Sequence, residues 1–252
     1  MHKLYKLNTM IQICQSQKCI KRLNSKMELQ SINSMEEYLK PTEFCDCNNQ
    51  EIIAKAKKLT KHDKTLKEMA LSIFHFVRDQ IAFMMSESDK ASETLKKRFG
   101  DCGTKTNLQV ALLRAVNIPA KYHIASLRKE SIKGIVSESF YNLSPDVISI
   151  HPWCECYLSE KWISCDTLLD IVLTEGIYKK GIHTKEEIPT IEWDGENDLN
   201  TMTTWMIEDK GTTSSLDNLF IEAQKEFEEI PIKLRNTLIY QANKCADNVR
   251  KQ

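Results

Sequence analysis

The chain has 252 residues, 41% hydrophobic and 28% charged. That is apolar enough for a core that needs no staples, and unlike a collagenous, disordered or disulfide-scaffold protein. Lys plus Arg and Asp plus Glu balance at 35 each, so no charge excess calls for nucleic acid or an anionic membrane as partner. No run approaches the roughly 18 uninterrupted apolar residues of a membrane span. The nine irregularly spaced cysteines suit a reducing, cytoplasmic compartment better than a paired disulfide framework.

Residues 1–26 carry six basic side chains and no acid; they read as a disordered basic leader. A helix is predicted over residues 50–80, where Leu66, Met69, Ala70, Ile73, Phe74 and Val77 share one face and Thr65 with Glu68 makes a capping-box pattern. A strand-like Ile81-Ala82-Phe83 follows, then a polar run from Ser86 to Ser92 that reads as a loop. Residues 102–116 are the clearest helix: Asp101 is a good N-cap, Asn117 a plausible C′ residue, and Pro119 forbids continuation. Tyr122–Ser126 looks like a strand. The irregular stretch 127–150 is long for a plain connection, which is a functional signal, and it is expected to help form a substrate cleft. His151–Leu158 and Trp162–Asp166 read as two strands of a hairpin turning at Ser159-Glu160. A mixed stretch after Ile191 leads to a helix near 215–229, and Pro231 separates that from a final helix. Helices before a meander of short strands, with helix at the end, indicate an α+β fold.

The chemistry centres on Gly100-Asp101-Cys102-Gly103. A cysteine in the first turn of a helix faces unpaired amides and the positive end of the dipole, which favour a thiolate and lower the thiol pKa. The flanking glycines leave room for a substrate backbone. A thiolate nucleophile needs a histidine base, and the base needs a third group to orient it. With a two-residue turn, Leu158 pairs with Lys161 and position 153 lies opposite 166. Asp166 then shares a face with His151, on a diagonal within reach of an imidazole. Trp153 lies on that face too, as a wall of the site or as core. Cys154 and Cys156 point the other way and read as small buried residues. The alternative, a zinc site completed by Cys45 and Cys47, has ligand spacing shorter than zinc sites use. His123 reads as a satisfied structural histidine. No cofactor motif, metal-ligand histidine pair or nucleotide loop is present.

Gly-Asp-Cys at a helix start, then Ala111-Leu112-Leu113-Arg114-Ala115-Val116-Asn117-Ile118-Pro119-Ala120-Lys121, His151-Pro152-Trp153 and Trp162-Ile163-Ser164-Cys165-Asp166, resemble the transglutaminase-like superfamily in content and order. The resemblance covers roughly Tyr38 to Lys210 and is greatest to stand-alone prokaryotic-type members. It implies a papain-like core, with N-terminal helices and the nucleophile helix packed on an antiparallel sheet. Residues 27–210 would form the catalytic domain and 211–252 a C-terminal helical extension. It further implies Cys102 as nucleophile, His151 as general base then acid, and Asp166 as the orienting group. The implied activity is a cysteine hydrolase or acyltransferase working through a thioester on a peptide, protein or small amide; oligomeric state is left open. Departures are Asn117 and Lys121, where the family often has Gly and Arg, and Cys154 and Cys156 at positions usually β-branched. The competing reading is a binding or assembly module of the same fold with an inactive triad.

Overall fold

The computed structural model describes residues 35–251, apart from the side chain of Phe227; the basic leader lies outside them. The polar stretch 60–65 splits the helix expected over 50–80 in two. Helix α1 (Gln50–Leu59) ends where the Thr60 hydroxyl bonds the Ala56 carbonyl. Helix α2 (Leu66–Gln80) starts afresh at Thr65 with the expected capping box to Glu68. The strand expected at 81–83 is the short β1 (Ala82–Phe83). The polar run after it is a loop only to Lys90. Helix α3 (Ala91–Lys97) follows, and β2 (Phe99–Gly100) pairs in parallel with β1.

Helix α4 (Cys102–Ala115) starts at Asp101, whose carboxylate accepts from the Thr104 amide, as expected from the sequence. Asn117 takes the left-handed conformation at φ 60° that asparagine tolerates just past a helix. Helix α4 is buried along almost its whole length, because α1, α2 and α3 flank it on one side and the sheet on the other.

That sheet contains β3 (Ala120–Arg128), β4 (Val147–Leu158), β5 (Lys161–Ser164) and β6 (Met206–Thr213), all antiparallel, in the order β5-β4-β3-β6. The β4–β5 register is the expected one, Leu158 against Lys161 and Glu155 against Ser164. Ser159 and Glu160 both have positive φ, 49° and 65°, the conformation of a two-residue turn that matches strand twist. The stretch 127–150 is partly regular, with a 3-10 turn at Lys129–Ile132, helix α5 (Glu138–Leu143) and the unexpectedly early start of β4. Helix α6 (Ile171–Lys179), capped by Asp170, and edge strand β6 were not foreseen.

Helices α7 (Asp217–Glu229) and α8 (Ile232–Arg250) close the chain onto this body. The Asp217 carboxylate accepts from the Thr42 hydroxyl and the amides of Glu43 and Phe44. The Asn243 amide clamps both backbone groups of Met85. Arg250 bonds the Asp170 carboxylate and the Phe83 carbonyl. Tyr38–Gln252 is one compact unit, and residue 211, where the extension was expected to begin, lies inside β6. No helix among the described residues is long and apolar enough to cross a membrane.

Candidate active site

The three sequence-selected residues lie on three different parts of the fold. Helix α4 starts with Cys102, β4 carries His151, and Asp166 follows β5 after the chain has left the hairpin to bridge Leu199. Cys102 and His151 line one cavity. His151 Nε2 lies 4.0 Å from Asp166 Oδ2, with both side chains buried. That separation is ion-pair range, and among the described residues Nε2 has no hydrogen-bond partner.

The Asp166 carboxylate is firmly held. Oδ1 accepts from the Leu168 amide at 2.9 Å, and Oδ2 accepts from the Thr201 amide at 3.1 Å and the Thr201 hydroxyl at 2.5 Å. Two polar side chains of α4 brace the rest. The Thr106 hydroxyl donates to the carbonyl of Pro152, next to His151. The Gln109 amide donates to the Cys165 carbonyl and accepts from the Thr167 hydroxyl, gripping the chain on both sides of Asp166. Sequence reasoning missed Thr106, Gln109 and Thr201. The one signal was polar residues on the face of a helix otherwise suited to burial, where polar groups must find partners.

The electrostatics differ from the expectation. Burial, joined by the nearby carboxylates of Asp101 and Asp166, raises the Cys102 thiol well above its ordinary range, against the lowering effect of the Gly103 and Cys102 backbone groups. The helix start is favourable to a thiolate, but the capping carboxylate already occupies that favourable field and adds a like charge. Burial likewise lowers the His151 imidazole, partly offset by the Asp166 charge. Both shifts favour the uncharged forms of the two groups.

The room expected beside the glycines has another occupant. A Cβ on Gly103 would come within 2.9 Å of the Phe220 ring, and one on Gly100 within 2.4 Å of the Thr104 hydroxyl. These glycines admit the protein's own side chains. Trp153 lines neither cavity at Cys102. It is buried, its indole N–H bonds Ser164 Oγ, and its ring stacks on His123 at 4.2 Å. His123 is held between Glu155 and Asp209, each at 2.6 Å.

Three further thiols are packing groups. Cys154, Cys156 and Cys165 are fully buried together, with 3.9 Å between the sulfurs of Cys156 and Cys165. Burial pushes the Cys154 thiol up. Among the described residues, no three or more His, Cys, Asp or Glu side chains gather where they could hold a metal ion.

Residues 53–167, the span containing Cys102, His151 and Asp166, match the sequence model of the transglutaminase-like superfamily. Over that span the chain is similar to the superfamily. A comparison with curated proteins found no match. Solved structures similar to this transglutaminase-like chain include a candidate cysteine protease from Cytophaga hutchinsonii. It is 17% identical, with a TM-score of 0.48, over 73% of this chain and 48% of that one. The periplasmic domain of TgpA from Pseudomonas aeruginosa is 17% identical, with a TM-score of 0.35, over 57% of this chain and 50% of that one. Red sea bream transglutaminase is 13% identical, with a TM-score of 0.33, over 67% and 28%. The chain thus spans half or less of the length of these three structures.

Proposed function

We propose that this transglutaminase-like protein is a cysteine hydrolase or acyltransferase acting on an amide or peptide bond, with Cys102 as nucleophile, His151 as base and acid, and Asp166 as the orienting group. The observation that carries the reading is a buried imidazole sharing a cavity with a helix-start thiol while its Nε2 faces a fully hydrogen-bonded carboxylate at 4.0 Å.

With Nε2 turned to Asp166, Nδ1 is the nitrogen left for the thiol. As Cys102 Sγ attacks the carbonyl carbon, its proton passes to Nδ1, the S–C bond forms and the carbonyl π pair moves onto oxygen. The backbone amide of Cys102, at the helix N-terminus, is the proposed donor to that oxyanion. The C–N bond then breaks and the imidazolium returns the proton to the departing amine, leaving a thioester on Cys102. Water or a second amine attacks the thioester while His151 takes its proton, and the thiol is regenerated. Asp166 stabilises the imidazolium that exists between the two transfers. The odd number and irregular spacing of the nine cysteines in the sequence are the ground for also proposing a reducing, cytoplasmic setting.

The test is acylation by p-nitrophenyl acetate, read cysteine by cysteine by mass spectrometry. Cys102 should acetylate at least tenfold faster than half-buried Cys245, and His151→Ala should slow it by roughly 10²–10⁴. A Cys102 that reacts no faster than Cys245, or is indifferent to His151→Ala, would favour an inactive module of the same fold.

A further inference from the structure

The cavity that Cys102 and His151 share measures about 450 Å³, within the range of small-molecule sites. Its walls come from well-separated parts of the chain: Phe83 from β1, Leu127 from β3, Ile135 and Phe140 from the stretch between β3 and β4, and Leu168 and Met202 from the segments around Asp166. Among the described residues no lysine or arginine lines it, and its ionisable lining groups are Asp101, Cys102, His151 and Glu226. The Ser131 hydroxyl in its wall is buried and makes no hydrogen bond among the described residues. A smaller cavity of about 180 Å³ meets it at Asp101, Cys102 and Ile150, with Phe220 and Leu219 of α7 on its far side.

We infer that the larger cavity holds the acyl half of the substrate, and that this half carries a large apolar group rather than a carboxamide or a charged side chain. The inference rests on the thioester chemistry proposed above. The acyl half stays on Cys102 through both steps, so a largely apolar cleft beside the thiol serves it throughout. The amine half must leave, becomes a cation at neutral pH, and is poorly housed among hydrocarbon walls. A glutamine-like carboxamide buried here would need partners for two N–H groups and a carbonyl oxygen, where the chamber offers one unpaired buried hydroxyl, at Ser131. An anionic group would meet carboxylates and no cation. Two sources supply the favoured chemistry: a bulky aromatic or aliphatic amino-acid side chain, or a fatty acyl chain.

The experiment uses p-nitrophenyl esters, whose common leaving group isolates the acyl half. N-acetyl-phenylalanyl, octanoyl, N-acetyl-glutaminyl and acetyl esters are compared as rates of Cys102 acylation, each divided by the ester's own hydroxide-catalysed hydrolysis rate. Filling the chamber with a large apolar group should speed acylation by one to two powers of ten over acetyl and glutaminyl. A faster phenylalanyl ester assigns the chamber to an amino-acid side chain, and a faster octanoyl ester to a fatty chain. Glutaminyl or acetyl as fast as both would overturn the inference. Ser144→Trp, which projects bulk from the chamber wall, should lower the ratio of the favoured ester to acetyl at least threefold. Because both esters are read on the same variant, partial misfolding cancels from the ratio. If acetylation of Cys102 depends on His151 but shows no apolar preference, only this inference fails. If acetylation is independent of His151, the proposed chemistry fails first.

Discussion

Burial shifts Cys102 and His151 toward their uncharged forms, and that bears on how the proposed pair would work. An ion pair formed in advance would need a thiol driven down and an imidazole driven up; burial does the opposite to each. In the proposed reaction the proton then moves during attack, and the competent form of His151 is the neutral one. Because its pKa in the fold is lowered, it is neutral above a midpoint that lies below the ordinary value of about 6.5. Cys102 acylation should fall with acidification through that midpoint and hold level toward neutral pH. Asp166→Asn removes the charge that offsets burial, so the midpoint should move further down while the plateau falls by roughly 10²–10⁴. A pH–rate profile of acetylation checks both, and an acid limb centred above 6.5 would contradict the neutral pair. Asp101 and Cys102 were legible in the sequence because capping is local. The thiol's environment was not, because the carboxylate of Asp166 comes from another element. Nor were Thr106 and Gln109, whose partners lie 46 to 58 residues away.

At the scale of elements, the β4–β5 hairpin shows what pattern alone can deliver. A two-residue turn flanked by alternating strands sets the register from Leu158–Lys161 to Glu155–Ser164, and Asp166 follows two residues beyond the last pair. The turn's own residues are poor choices for it: Ser159 and Glu160 both sit at positive φ, which costs non-glycine side chains about 1–2 kcal/mol each. Replacing the pair by Asn-Gly should add about 1 kcal/mol of stability and raise Tm by about 2–4 °C, measured by calorimetry. An unchanged or lower Tm would show that Ser159 or Glu160 makes compensating contacts. Other elements escaped for physical reasons. Strand β6 is an exposed edge whose residues, Met206 to Thr213, have no alternation to read. Helix α3 is short and starts inside a polar run. In α4, by contrast, periodicity and caps agree, and its boundaries were nearly right.

The whole molecule is closed by long-range ties from its last two helices. The Arg250 guanidinium is 2.6 Å from Asp170 Oδ2 and also binds the Phe83 carbonyl, so α8 joins the start of α6 to β1 beside the larger cavity. Burial of Asp170 opposes its ionisation, but Arg250 outweighs it and holds the carboxyl below the usual range. Its stabilising effect is present above the unfolded-state value near 3.9 and is lost as pH falls through the lower folded value. Arg250→Ala leaves a buried carboxylate unpaired and should cost roughly 2–4 kcal/mol in urea denaturation at pH 7, with the penalty shrinking at pH 3. A penalty that does not shrink would mean that Arg250 acts through packing alone. Phe220, set against Gly103, belongs to the same closure. The ribosome completes the cysteine helix long before it reaches Phe220, since synthesis proceeds from the N-terminus. A nascent chain therefore presents its thiol with one wall missing, and the cleft takes its working shape only after translation has passed α7.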